Sequence, residues 1–216
     1  YIQFGNKMDD NFKTKLSTNI LVNMAITANP SCKVDVILDE VTGDIIKGEG
    51  EGLLKIRVGN REPMSIYGRY EITRGEYTFN FQTFLKKYFT VNSGTLVWTG
   101  DPFKAQIDIQ AEYLATKVDF SNLSSTVRQR ADVKVIAHLT ETLLKPAIDF
   151  EFQLPAGSPI NDYLVLKRLA QFREDKNDLN KQVTSLLIFN TFISTSGGSQ
   201  GLINAGSGIN ILSNTI

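Results

Sequence analysis

From Phe103 to Tyr113 apolar and polar residues alternate without a break. Phe103, Ala105, Ile107, Ile109, Ala111 and Tyr113 take the odd positions, and Lys104, Gln106, Asp108, Gln110 and Glu112 the even ones. Successive side chains of a strand point to opposite faces, so a period of two held over eleven residues predicts a β-strand with one oily face and one wet face. Whatever covers the oily face decides what the chain can be.

The same design recurs along most of the sequence. Ile20, Val22, Met24, Ile26 and Ala28 share one face, until Asn29-Pro30-Ser31 breaks the run. Val34, Val36 and Leu38 point inward on the next strand, and the same phase turns Cys32 inward. Val41-Thr42-Gly43-Asp44 reads as a hairpin link. Leu54, Ile56 and Val58 follow a Gly-rich stretch, and Met64, Ile66, Tyr70 and Ile72 carry a further strand. Arg74-Gly75 is expected to turn the chain into Tyr77, Phe79 and Phe81. Phe89 and Val91 lead through an expected turn at Asn92-Ser93-Gly94 to Leu96 and Trp98. The pattern lapses between Leu114 and Arg130 and returns at Val133 and Val135, then at Ile148, Phe150 and Phe152. This spacing predicts roughly nine to eleven strands joined by hairpins.

Composition changes at Pro155. Ser158-Pro159 predicts a helix start, a side-chain oxygen at the cap followed by a residue whose missing N–H costs nothing there. Asp175 to Asp178 reads as a polar break, with a second helix from Leu179 to Ile193. The expected organisation is a β region over 1–154, a helical segment over 155–196 packed at its end, and a Gly/Ser/Asn-rich tail over 197–216 open to ordering by a partner. The chain lacks an initiator Met, a signal peptide and a closing turn, and reads as a piece of something longer.

With 23 basic and 23 acidic residues and no basic block, nucleic acid is not expected as a partner. The longest apolar run, Ser185 to Ser194, is too short and too polar to span a bilayer as a helix. One cysteine excludes an internal disulfide framework.

No catalytic constellation emerges. The single histidine, His138, falls on the polar phase with Asp132 and Lys134, so a triad or a histidine metal site is hard to build. Gly48-Glu49-Gly50-Glu51-Gly52 lacks the Lys-Ser/Thr of a phosphate loop. Asp35, Asp39, Glu40 and Asp44 fit no calcium-loop spacing and read as a solvated strand face. The expectation is a protein that is not an enzyme and carries neither cofactor nor metal.

Two short helices cannot cover so many strands, each about 17–20 Å long in the typical case. The sheet must bend onto itself as a barrel, a sandwich or a trough. The inward rings, Phe79, Phe81, Phe89, Trp98, Phe103, Phe150 and Phe152, then either fill a closed core or line an open groove. Composition and periodicity favour the closed core.

Gly68-Arg69-Tyr70-Glu71-Ile72-Thr73-Arg74-Gly75-Glu76-Tyr77-Thr78-Phe79, then Phe89 through Pro102, then the strand ending Ala111-Glu112-Tyr113, form an ordered set of motifs. Together with Phe150-Glu151-Phe152 and the apolar Ser185 to Phe189, this set resembles the C-terminal conserved domain of the translocation and assembly module subunit TamB, in the AsmA-like group. The likeness runs from about Ala25 to Ile193.

The resemblance implies a mainly β, taco-shaped trough of curved antiparallel or mixed sheet with an apolar interior, followed by short helices. It implies a periplasmic protein anchored at the inner membrane by a part outside this chain and reaching the outer membrane. The implied partners are phospholipid and an outer-membrane barrel of the insertase superfamily. On that reading the inward rows named above, from Ile20 to Phe152, become a lipid groove with Ile107 and Ile109 on its floor. Two rivals stand beside it. One is a structural module with a closed core that docks on the barrel by strand addition. The other is a set of transmembrane β-barrel strands, which the helical segment and the lack of aromatic girdles disfavour.

Overall fold

A computed structural model describes residues 19–81 and 85–194. The side chain of Phe81, the turn expected at Met8 to Asn11 and the tail over 197–216 lie outside the described residues. Among the described residues seven strands form one antiparallel sheet in sequence order: β1 (Leu21–Asp39), β2 (Asp44–Gly59), β3 (Ser65–Phe81), β4 (Leu85–Gly100), β5 (Gln106–Asp119), β6 (Arg130–Thr142) and β7 (Lys145–Gln153). The sheet is open and curled, and two helices follow, α1 (Tyr163–Gln171) and α2 (Lys176–Phe189).

Seven long strands replace the nine to eleven expected, because three sites that read as turns lie inside strands. Asn29-Pro30-Ser31 is a bulge between Ala28 and Cys32 of β1, an edge strand where a missing N–H is tolerated. Arg74-Gly75 sits within β3, where the register to β2 shifts, and Asn92 is bulged out of β4 between Val91 and Ser93. A bulge takes the same residue types as a turn and bends the strand instead of reversing it.

Glycines permit the bend. A Cβ on Gly50 would collide with the Glu71 carbonyl, and one on Gly68, whose φ is +134°, with the Leu53 carbonyl. Only a residue without a side chain allows the backbones of β2 and β3 so close.

The strand expected from Phe103 begins later. Asp101 accepts the Phe103 N–H at 3.0 Å and closes a 3-10 turn over Pro102–Lys104, so β5 starts at Gln106 and Phe103 is exposed rather than inward. Helix α1 also starts later than Ser158-Pro159 predicts. Asp162 caps it by accepting from Leu164 and Val165 at 2.9 and 3.0 Å, and those N–H groups with the Thr126 hydroxyl hold its carboxyl below the usual range. The expected polar break is the start of α2, capped by Asp175, and the helix ends at Asn190 in the left-handed conformation.

The sheet has two unlike edges. Helix α2 packs against β7, and Lys176 and Arg173 reach Asp149 and Glu151 of that strand. Among the described residues β1 pairs only with β2, and from Asn19 to Cys32 it carries no charged side chain. No described helix is long and apolar enough to cross a membrane.

Candidate lipid groove

The strand register converts the inward positions into rows running across the sheet. Near the β1–β2 hairpin, Val36 pairs with Ile46, Ile46 with Tyr77 and Tyr77 with Phe89. Tyr113, Val135 and Phe152 continue this row on the other strands. Phe79 of β3 meets Phe150 of β7 with ring centroids 6.2 Å apart, so the curl closes the trough at this end.

The closed end is also filled from outside the sheet. Phe120, Phe172 and Phe192 are fully buried, and Phe172 stacks on Phe192 at 6.0 Å while both pack edge-on against Phe152. Gln182 of α2 fixes the chain after the helix, donating to the Ile193 carbonyl at 3.0 Å and accepting from its N–H at 2.8 Å. None of these four residues was singled out in the inward rows. Large aromatics at 120, 172 and 192, beyond any strand pattern, were the available sign.

At the other end the rows stay uncovered. Val22 faces Val58; Met24 faces Ile56, which faces Ile66; Ile26 faces Leu54, and across Gly68 lies Trp98. No charged residue interrupts these rows. Met24 is 42 % exposed, whereas Phe89 is wholly buried. Trp98 is held by its indole N–H donating to the Pro102 carbonyl at 3.1 Å, and exposed Phe103 stands in the adjoining turn.

The inward residues named from the sequence therefore fall into three groups. Val36, Tyr70, Ile72, Tyr77, Phe79, Phe89, Val91, Ile107, Ile109, Val133, Val135, Phe150 and Phe152 belong to a sealed core. Val34, Leu38, Ile56, Ile66, Trp98, Tyr113 and Ile148 are half-buried around it. Ile20, Val22, Met24, Ile26 and Phe103 are exposed. Ile107 and Ile109, expected on an open floor, are buried in the core cluster of the curled sheet.

Tyr70 stands at the boundary between the two parts. Its hydroxyl donates to the Cys32 carbonyl at 2.7 Å, reaching across β2 where Gly50 and Gly52 leave room, and burial raises its pKa. A second polar feature went unread in the sequence. Asp44 accepts the Asn80 backbone N–H at 2.8 Å and faces the Tyr77 hydroxyl at 3.4 Å. Loss of hydration pushes the Asp44 carboxyl up and the Tyr77 phenol well above its ordinary value.

The outward face is charged and paired: Glu49 with Arg74 and Lys33, and Glu112 with Lys134 at 2.9 Å. Asp39 caps the turn at Val41 and Thr42, so the acidic residues near the first hairpin do not converge. Among the described residues no three metal-binding side chains come together. His138 is half-buried opposite Asp149.

Residues 3–216 match the family model of the TamB C-terminal domain, essentially the whole chain. No curated protein matches.

Proposed function

Because the chain belongs to the TamB C-terminal domain family, a component of the translocation and assembly module that serves outer-membrane assembly in the envelope, we propose that its concave face is a stretch of groove for phospholipid. The lipid passes between inner and outer membranes in the periplasm, and this end of the protein contacts an outer-membrane barrel of the insertase superfamily. The family is a transport and assembly component, and no chemical step is assigned to any residue.

The observation that carries the proposal is the uncovered, uncharged patch over β1 to β4: Val22, Met24, Ile26, Leu54, Ile56, Ile66 and Trp98. Exposing a diacyl lipid of about thirty methylenes to water costs on the order of 24 kcal/mol at about 0.8 kcal/mol each. A barrier that high corresponds to escape on the order of once a day. Acyl chains lying along the apolar rows avoid most of it, while the head group stays in water at the rim.

The sealed half favours a second reading for that part of the molecule, a closed structural core that docks on the barrel by adding a strand to the edge of β1 that has no partner among the described residues. One experiment separates the two. A photo-crosslinker replaces Met24 or Ile56, the protein is exposed to phospholipid vesicles, and adducts are weighed. Lipid adducts at both positions support the groove, and their absence at both leaves the docking module.

A further inference from the structure

Helix α1 is apolar on two sides. Val165 and Leu169 are buried against the rest of the chain, and Phe172, at the helix end, is buried with them. Tyr163, Leu166 and Ala170 follow one another at intervals of three and four, so they share a second side, and all three are exposed. Tyr163 is 73 % exposed and Leu166 43 %. A helix that is apolar all round is normally covered all round. The described residues cover only half of this one.

The charge on and around α1 is one-sided. The helix carries Lys167 and Arg168 and no carboxylate. Lys167 is four residues from Tyr163 and three from Ala170, which puts it in the same exposed patch. The β5–β6 connection next to α1 adds exposed Lys117 and Arg128. Lys117, Arg128 and Lys167 form no ion pair with a described residue. The carboxylates at this end are engaged. Asp119 accepts the Ser121 N–H at 2.8 Å and pairs with Arg130, Asp132 accepts the Lys117 N–H at 2.9 Å, and Asp162 caps α1 and accepts from Thr126 at 2.9 Å.

Helix α2 brings another exposed ring to the same connection. Asn190, which follows exposed Phe189, donates from its side chain to the Thr116 carbonyl, and the Asn122 amide donates to the Phe192 carbonyl at 2.8 Å. Tyr163 follows Asp162, which is bonded to Thr126 of that connection. Both exposed rings are thus anchored beside the β5–β6 connection, at the sealed end.

We propose that α1, with Phe189 at the same end, seats this end of the sheet on a membrane surface bearing anionic phospholipid. At nine residues the helix is too short to cross a bilayer, so it lies in the head-group layer. Tyr163 and Leu166 enter the upper acyl region, and Lys167 meets the lipid phosphates. Neither part suffices alone: a few apolar side chains give weak, reversible binding, and the cations add the second signal. The contact is at the opposite end of the strands from Met24 and Ile56, so it stands apart from the groove reading.

The test sediments the full chain with vesicles of phosphatidylcholine, with or without phosphatidylglycerol. Binding is expected to the phosphatidylglycerol vesicles, to weaken as salt is added, and to be more than about tenfold poorer without the anionic lipid. Lys167→Gln is expected to lower the partition coefficient about fivefold and Leu166→Ser about tenfold. Both positions are exposed, so unchanged far-ultraviolet dichroism is expected of each. Met24→Lys is expected to sediment as the unaltered protein does. Equal sedimentation with the two kinds of vesicle, or a partition unmoved by both α1 substitutions, overturns the proposal. Loss of sedimentation in Met24→Lys also overturns it and assigns the contact to the open patch. If neither vesicle carries the protein down, the outer side of α1 belongs to a protein partner and the proposal fails. Adducts at a crosslinker on Ile56 from detergent-dispersed phospholipid report on the groove separately. Their absence with sedimentation intact overturns the groove alone.

Discussion

The Tyr70 hydroxyl bonds to the Cys32 carbonyl at 2.7 Å, tying β3 to β1 over the top of β2. Few side chains can span an intervening strand. Here Gly50 and Gly52, the β2 partners of Cys32 and Tyr70, supply the gap. Tyr70→Phe keeps the ring and removes the bond, and is expected to lower stability by about 1–2 kcal/mol, read from the midpoint of urea unfolding. A midpoint equal to wild type would mean that water serves the Cys32 carbonyl as well.

Gly50→Ala and Gly68→Ala are expected to do more harm, although each adds one methyl. At both places the new Cβ meets a carbonyl of the neighbouring strand, and at Gly68 the φ of +134° is also strained. A loss of about 2 kcal/mol or more is expected for each. Thermal melts with far-ultraviolet dichroism check this.

Asp44 gives the fold a pH dependence of definite sign. Burial raises its native pKa above the ordinary 3.8. The native state then holds the proton more tightly than the unfolded chain. Its contribution is fully present below the unfolded value and is lost as pH rises through the native one. Asp44→Asn, which can still accept from Asn80, is expected to flatten this decline. The urea midpoint of the wild type minus that of Asp44→Asn should fall with rising pH across the acidic range, because the carboxyls held low at Asp39, Glu49, Asp119 and Asp162 are common to both proteins and cancel in the difference.

The aromatic seal and the rim respond oppositely to truncation. Phe172→Ala empties a fully buried site against Phe152 and Phe192 and is expected to cost about 3–5 kcal/mol. Phe103→Ala removes a ring that is 61 % exposed and is expected to change stability by less than about 0.5 kcal/mol. Equilibrium unfolding of the two variants side by side tests the division into sealed and open parts.

A charge at an uncovered position interrogates the groove where one at a sealed position only unfolds the protein. Met24→Lys is expected to fold and to lose lipid adducts at a crosslinker placed on Ile56. Ile107→Arg buries an unpaired cation in the core and is expected to abolish cooperative unfolding.

Alternation alone assigned the inward residues of the strands, because the pleat translates sequence phase directly into facing. It did not distinguish bulge from turn at Pro30, Arg74 or Asn92. Those residues satisfy both conformations, and the choice is made by the partner strand across the ladder. Phase also says nothing of what lies opposite, so Met24 and Phe89 look alike in the sequence although one is open and the other sealed. Phe172 and Phe192 sit where no period of two exists, and their role follows from helix packing.

The edge of β1, which has no partner strand among the described residues, bears on how the protein behaves in a tube. From Asn19 to Cys32 it offers backbone donors and acceptors flanked by uncharged, alternating side chains. Charged gatekeepers, the usual protection of an exposed strand, begin only at Lys33, and Pro30 is the one interruption before them. Such an edge is a template for any chain with the same pattern, its own copies first among them. Solutions of this domain are therefore expected to self-associate as they are concentrated, with a lysine at Ala25 or Thr27 on the convex side of β1 as the remedy that leaves the concave face untouched.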